Sequence, residues 1–296
     1  LAAYPESSEV PYPAPCDHCG LCPWRERCAA KRIDDDHLSA VAGITRQQIA
    51  RLEAAGVRTM ATLGSLSVNQ AVTKLAPETL SKLREQARLQ VTERETGQQV
   101  AELLTQQAGM IRGFARLPEP DEGDLFFDME GDPMEEGGLE YLFGLYFFDA
   151  GQAVFKAFWA HTRDEERRAF IDFIDFVMAR REAYPNMHIY HYAHYENTAI
   201  KRLMTSHGVR ESAVDQLLRE GRLVDLYKVV REGLRISKDS YSIKAVEKFY
   251  SEKRSSDVKK AVDSIVVEDI LPLAEMNAPI LELFTSRNFL PEERFV

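Results

Sequence analysis

The sequence predicts a mixed α/β protein in which a mixed β-sheet flanked by helices is preceded by a helical connector and a short Cys-rich segment. Three observations carry this. All four cysteines lie within the first 32 residues. Apolar residues then recur at helical spacing to about Gly113, and from Pro118 three apolar β-type runs follow one another before helices return. The implied domains are residues 1–32, 33–117 and 118–296.

The Cys-rich segment is rich in proline and has few residues suited to a core of its own. In the connector, "DDDHLSAVAGITRQQIARLEAAGVRTMATLGSL" places Leu38, Val41, Ile44, Ile49, Leu52, Val57 and Leu63 at helical spacing, with Gly43 and Gly56 as stops. "APETLSKLREQARLQVTERETGQQV" continues as a longer, polar amphipathic helix. Short helices joined by Gly-containing turns are either a plain helical linker or a helix-hairpin-helix, whose turn amides bind a phosphate backbone.

In the third region "DLFFDME", "EYLFGLYFFD" and "AVFKAFWA" read as an antiparallel meander with short, Gly-containing connections. "RDEERRAFIDFIDFVMARREAYP" is a helix with Phe170, Ile174 and Val177 on one face and Pro185 as its stop. "MHIYHY" is a fourth strand, and "ENTAIKRLMTSHG", "ESAVDQLLREG", "LVDLYKVVREGL" and "SIKAVEKFY" read as helices. Phe126, Phe127, Phe143, Phe147 and Phe148 are expected in the core, and Asp225 as a helix cap.

Composition bounds the function. The 296 residues are 45% hydrophobic, enough for one large domain or several small ones. No long apolar run or signal-peptide pattern occurs, so neither a membrane partner nor secretion is expected and the default location is cytoplasmic. The chain begins with Leu1, which suggests a piece of something longer. A net charge of −10 argues against a surface coated in Lys and Arg, yet the charge is partitioned. Residues 117–149 hold eleven acidic side chains and no Lys or Arg, whereas residues 228–260 hold ten basic against five acidic ones. An acidic centre beside a basic flank suits a metal-dependent enzyme acting on a polyanion; solvated surface charge explains the same pattern.

The sharpest signal is "DLFFDMEGDP". Residues i and i+2 of a strand point to one face, so Asp128 and Glu130 converge inside an apolar run and call for a counter-charge such as a metal ion. "HYAHYE" follows the fourth strand and brings His191, Tyr195 and Glu196. These motifs, in this order of elements, resemble the RNase H-like fold of the DEDD, or DnaQ-like, exonucleases, with Glu196 standing where that family usually carries Asp. More closely, "DLFFDMEGDP", "YHYAHYE" and "SYSIKAVEKFY" resemble the YprB-type domain at the end of RecB-like nucleases, up to about Val267.

The resemblance implies two-metal phosphodiester hydrolysis by a 3′-5′ exonuclease on DNA or RNA. Two Mg²⁺ or Mn²⁺ ions would be held by Asp128, Glu130 and Glu196, with His191 and Tyr195 near the substrate; a core histidine is an equal reading of His191, and a carboxylate that only favours the helix dipole is the alternative for Glu196. The family's fourth carboxylate, an Asp four residues after Tyr or His on a late helix, has no counterpart in the sequence; Asp269 is the nearest candidate and lacks that partner. A nucleic-acid-binding module without catalysis, or a structural part of a larger helicase-nuclease, are the other readings.

"PCDHCGLCPWRERC" sets Cys16, Cys19, Cys22 and Cys28 within thirteen residues, a density that suits a metal better than disulfides in a cytosolic protein. The spacing Cys19-x2-Cys22-x5-Cys28 resembles the three C-terminal ligands of the [4Fe-4S] cluster of RecB-like nucleases, with zinc as the alternative metal. Upstream nuclease or helicase portions of a longer chain are then the expected partners.

Overall fold

A computed structural model describes residues 12–105 and 109–249, which divide into two compact units: residues 12–102 with 235–240, and residues 103–105 and 109–234 with 241–249. The helical region was expected to run to residue 117. Its unit instead stops at Glu102, and Arg235–Ser240 returns to it from a distant part of the chain.

The first unit is built from α1 (Arg25–Asp34), α2 (Arg46–Ala54), α3 (Met60–Gly64) and α4 (Pro77–Thr96). Thr45 caps α2 in a reciprocal arrangement with Gln48, and Thr59 caps α3 by accepting from the Thr62 N–H. α4 starts with Pro77 at a position where its missing N–H has no helical partner, and stops at Gly97, whose φ of +70° is left-handed. Leu38, Val41, Leu52, Val57 and Leu63, five of the apolar positions legible in the sequence, pack with Leu80, Leu83 and Ala87 of α4 into one core. The helical pattern ends at Gly97: β1 (Ala101–Leu103) follows, where a continued helix was expected.

The second unit holds β2 (Leu125–Asp132), β3 (Leu139–Asp149), β4 (Gln152–Trp159), α5 (Arg163–Ala183), β5 (Ile189–His191), α6 (Tyr195–His207), α7 (Glu211–Arg219), β6 (Leu223–Asp225), α8 (Leu226–Gly233) and α9 (Ile243–Val246), while β7 (Leu234–Ile236) pairs with β1 where the chain returns to the first unit. Five strands form a mixed sheet in the order β4-β3-β2-β5-β6, antiparallel through β2, β3 and β4 and parallel through β2, β5 and β6. The β3–β4 hairpin closes on Ala150 and Gly151, both with positive φ, the pairing a two-residue turn needs to match strand twist. β6 was read as the start of a helix; its three residues pair with all of β5, and the helix begins only at Leu226. Asp225 caps that helix, accepting from the Lys228 N–H at 3.3 Å, and its carboxylate also accepts from the Ala193 N–H at 3.1 Å.

α5 carries the largest apolar stripe. Thr162 caps its start, three acidic residues fill its first turn and Arg180 and Arg181 its last, each matching the helix dipole. Phe170, Phe173, Ile174 and Val177 recur at i, i+3, i+4 and i+7 and pack under Phe127, Phe143 and Phe147, with Phe127 stacked on Phe173 at 4.6 Å. Phe126 faces the other way and stacks on Tyr190. Phe148, expected in the core, is 49% exposed because alternation turns it, with Tyr146, to the face of β3 opposite Phe147 and α5.

Candidate functional site

β2 is the central strand, and it and β5 run parallel, so their C-terminal ends open on the same edge of the sheet. In an open α/β sheet that edge is where ligands gather. Asp128 and Glu130 are half-buried and alternate with the buried Phe127 and Met129. Their antiparallel partners are Gly144 and Leu142; Gly144 lays no side chain beside the first carboxylate. A β-bulge between Glu130 and Gly131 then shifts the register, pairing Gly131 with Glu140.

From β5 the chain reverses through Ala193, a non-glycine residue at φ +74°, and enters α6 at Tyr195. The reversal lays the first turn of α6 against the strand ends. Glu196 sits in that turn, where the exposed N–H groups favour a negative charge. Asp128, Glu130 and Glu196 thereby line one open cleft of about 590 Å³, together with Asp132, Glu140, Tyr195, Thr198 and Arg202.

Glu196 is only 4% exposed, and its Oε2 has no hydrogen-bond partner among the described residues. His191 Nδ1 lies 3.4 Å from that oxygen without the alignment of a hydrogen bond, and neither ring nitrogen is satisfied. His191, expected near the substrate, is buried at the end of β5 and is not part of the cleft wall; it touches Glu196 instead. An ionised carboxylate buried without a partner is costly, and a cation is the simplest group to complete it.

Tyr195 is on the cleft wall, with its hydroxyl 2.9 and 3.0 Å from the two carboxylate oxygens of Glu140. Burial, then the bond to Glu140, pushes its pKa up to about 12, so it remains a donor at any physiological pH. Glu140 is buried and also accepts from Arg202, whose side chain reaches it from one turn further along the Tyr195, Thr198 face of α6. The backbone N–H of Glu140 donates in turn to Glu166, at 2.7 Å. Glu166, fully buried, is also bonded to Arg163 and His207, at 2.8 Å each.

Sequence reasoning missed Glu140 and Arg202. Both left a signal: Glu140 is an acid inside an apolar strand run, as Asp128 is, and Arg202 follows Tyr195 at i+7, on the same helix face.

Asp128, Glu130 and Glu196 offer hard oxygen donors of the kind Mg²⁺ and Mn²⁺ take, and the orphaned Glu196 oxygen fits such an ion. Among the described residues no three His, Cys, Asp or Glu side chains are gathered closely enough to hold a metal as they stand. Asp269 lies outside the described residues. Of the cysteines, the Cys16 and Cys19 sulfurs approach to 3.7 Å, and Cys22 and Cys28 do not join them in a ligand cluster. The Cys19 thiol is held below its ordinary pKa by the Cys16 N–H, which donates to it at 3.2 Å.

Residues 125–267 match the RNase_H_2 family model, described as RNase_H superfamily. With the mixed five-stranded sheet and its flanking helices, the match supports an RNase H-like domain over those residues, a class whose nucleases act on nucleic acid and generally use divalent metal ions such as Mg²⁺. No curated protein and no solved structure matches the chain. No helix among the described residues is long and apolar enough to cross a membrane.

Proposed function

We propose that the RNase H-like domain is a metal-dependent 3′-5′ exonuclease of the DEDD type, close to the YprB-type domains of RecB-like nucleases, and that it processes DNA or RNA. The observation that carries this is the buried, unpartnered Oε2 of Glu196 on the same cleft wall as Asp128 and Glu130. When bound, divalent ions supply charge that activates water and stabilises the leaving oxygen in an in-line displacement. Asp128 and Glu130 from β2 and Glu196 from α6 would hold them. Glu130 would orient the attacking water, His191 packs against Glu196 without a hydrogen bond to it, and Tyr195 stays protonated and keeps Glu140 in place.

The test is cleavage of end-labelled single-stranded DNA and RNA with Mg²⁺ or Mn²⁺, comparing the chain with Asp128→Ala. Loss of at least 10²-fold in rate with oligonucleotide binding retained is expected, and equal cleavage by both rejects the assigned site. A second reading, a nucleic-acid-binding module without catalysis, is favoured by the lack of three gathered metal ligands among the described residues. It requires salt-dependent binding that ignores both divalent metal and Asp128.

The cysteines are proposed as a separate metal site, an iron-sulfur cluster or zinc, belonging to a RecB-like portion of a longer chain. Iron, sulfide and zinc content of protein purified without oxygen decides between these and reduced thiols.

A further inference from the structure

Among the described residues that line the acidic cleft, Arg202 is the single cation, facing the carboxylates of Asp128, Glu130, Asp132, Glu140 and Glu196. A structural ion pair explains only part of its position. Glu140 is already hydrogen-bonded to the Tyr195 hydroxyl through both carboxylate oxygens. Arg202 adds one bond from Nη2 to Oε1, and Glu140 is its one bonded partner among the described residues, so most of the guanidinium fork is left for a ligand. Its side chain is 40% exposed, whereas that of Glu140 is 3% exposed. The buried acid thus works as a bracket and the arginine as the group presented to the cleft.

The placement has a length scale. Glu196 and Arg202 are six positions apart on α6, about 9 Å of backbone rise, and the Arg202 guanidinium reaches back over part of that to Glu140 beside the Tyr195 hydroxyl. A polynucleotide with one phosphate at the carboxylates sets a neighbouring phosphate at a comparable distance. A guanidinium matches phosphate oxygens with paired N–H donors, and a fixed cation offsets the repulsion between the strand and an acidic cleft.

We propose that Arg202, held by Glu140 and Tyr195, binds the phosphodiester next to the one at the Asp128, Glu130 and Glu196 end of the cleft and so sets the register of a single strand. This rests on nucleic acid being the substrate. The bracket also explains Gly131: a Cβ there would meet Glu140 Oε2 at 2.4 Å and the Tyr195 hydroxyl at 2.7 Å.

The experiment measures binding of a fluorescent single-stranded phosphorothioate oligonucleotide to the full chain in Ca²⁺, over a series of KCl concentrations. The variants are Arg202→Lys and the double variant Arg202→Gln with Glu140→Gln, which removes the arginine without leaving the buried carboxylate unpaired. With native circular dichroism, the double variant is expected to bind about tenfold more weakly, and its log–log salt slope to fall by about 0.7, the increment of one single-strand phosphate contact. Arg202→Lys is expected to keep the slope and lose part of the affinity. A purely structural arginine shifts stability and leaves the slope unchanged. Unchanged affinity and slope in the folded double variant, with wild type binding and cleaving in an Asp128-dependent way, overturn this inference alone. A wild-type chain that does not bind the oligonucleotide overturns it together with the nuclease reading.

Discussion

At the scale of single residues, Gly131 gives the cleft its tightest constraint. It lies at the bulge that turns β2 away from its regular register, and only a hydrogen in place of a side chain lets Glu140 and Tyr195 meet beside it. Gly131→Ala is therefore expected to destabilise the second unit by roughly 1–3 kcal/mol through overpacking, and to lower the Tyr195 pKa as its bond to Glu140 opens. Urea unfolding and a tyrosine absorbance titration check the two effects. Asp128, Glu130, Tyr195 and Glu196 were all legible in the sequence as members of one site, and all four line the cleft. Glu140 and Arg202 were not read there, because their meeting depends on where the bulge falls and how far α6 is rotated. The position of the bulge and the rotation of the helix are not written in a local pattern, even though each residue type is. His191 illustrates the opposite case: its residue type left substrate contact and a core position both open, and burial at the end of β5 set it against Glu196.

At the scale of elements, long periodic stretches were legible and short ones were not. α5, α6 and the three meander strands fall within a few residues of their expected bounds, since each has a hydrophobic face long enough to reveal its period. β6 escaped because three residues cannot show a period, and what makes them a strand is parallel pairing with β5. The end of the connector failed for a related reason: beyond Gly97 the chain is decided by strand pairing with β7 rather than by helix propensity. The α5 stripe predicts where the second unit is most sensitive. Phe173 touches Phe127, Phe143 and Phe158, so Phe173→Ala is expected to cost about 3–5 kcal/mol in chemical unfolding, more than any single change on the cleft wall.

At the scale of the whole molecule, the shifted groups define an acid limit. Burial, and then Arg222, hold the His188 ring below its ordinary pKa of 6.5, so the unfolded chain binds the proton more readily and stability starts to fall as pH drops below 6.5. Glu232, bonded to Arg116 at 2.6 Å and to the Gly113 N–H at 3.0 Å, is held down to about 2, chiefly by the arginine. Its contribution is complete above the ordinary carboxylate range and is lost as pH falls through that range toward 2. Asp124 acts in the opposite sense: burial raises its pKa, so the native state takes up the proton more readily and acidification through that range adds stability. Thermal unfolding from pH 7.5 to 3 is expected to show a shallow early loss that disappears in His188→Phe. A steeper loss below about pH 4.5 should be reduced in Glu232→Gln, whose own cost at neutral pH is about 1 kcal/mol.

The amino-acid sequence by itself determined the class of the sheet-containing unit, the strands and long helices that build it, and the carboxylates that mark its site. Those properties reside in side-chain periodicity and in residue types set within a few positions of one another. Tertiary structure alone decided that β6 completes the sheet, that Arg235–Ser240 returns to the helical unit, that Glu196 is left buried with an unpartnered oxygen, and that Arg202 enters an acidic cleft on a buried Glu140. Each of these joins residues far apart in the chain, through pairing register, a bulge or the rotation of a helix, and such quantities exist only once the strands and helices have packed.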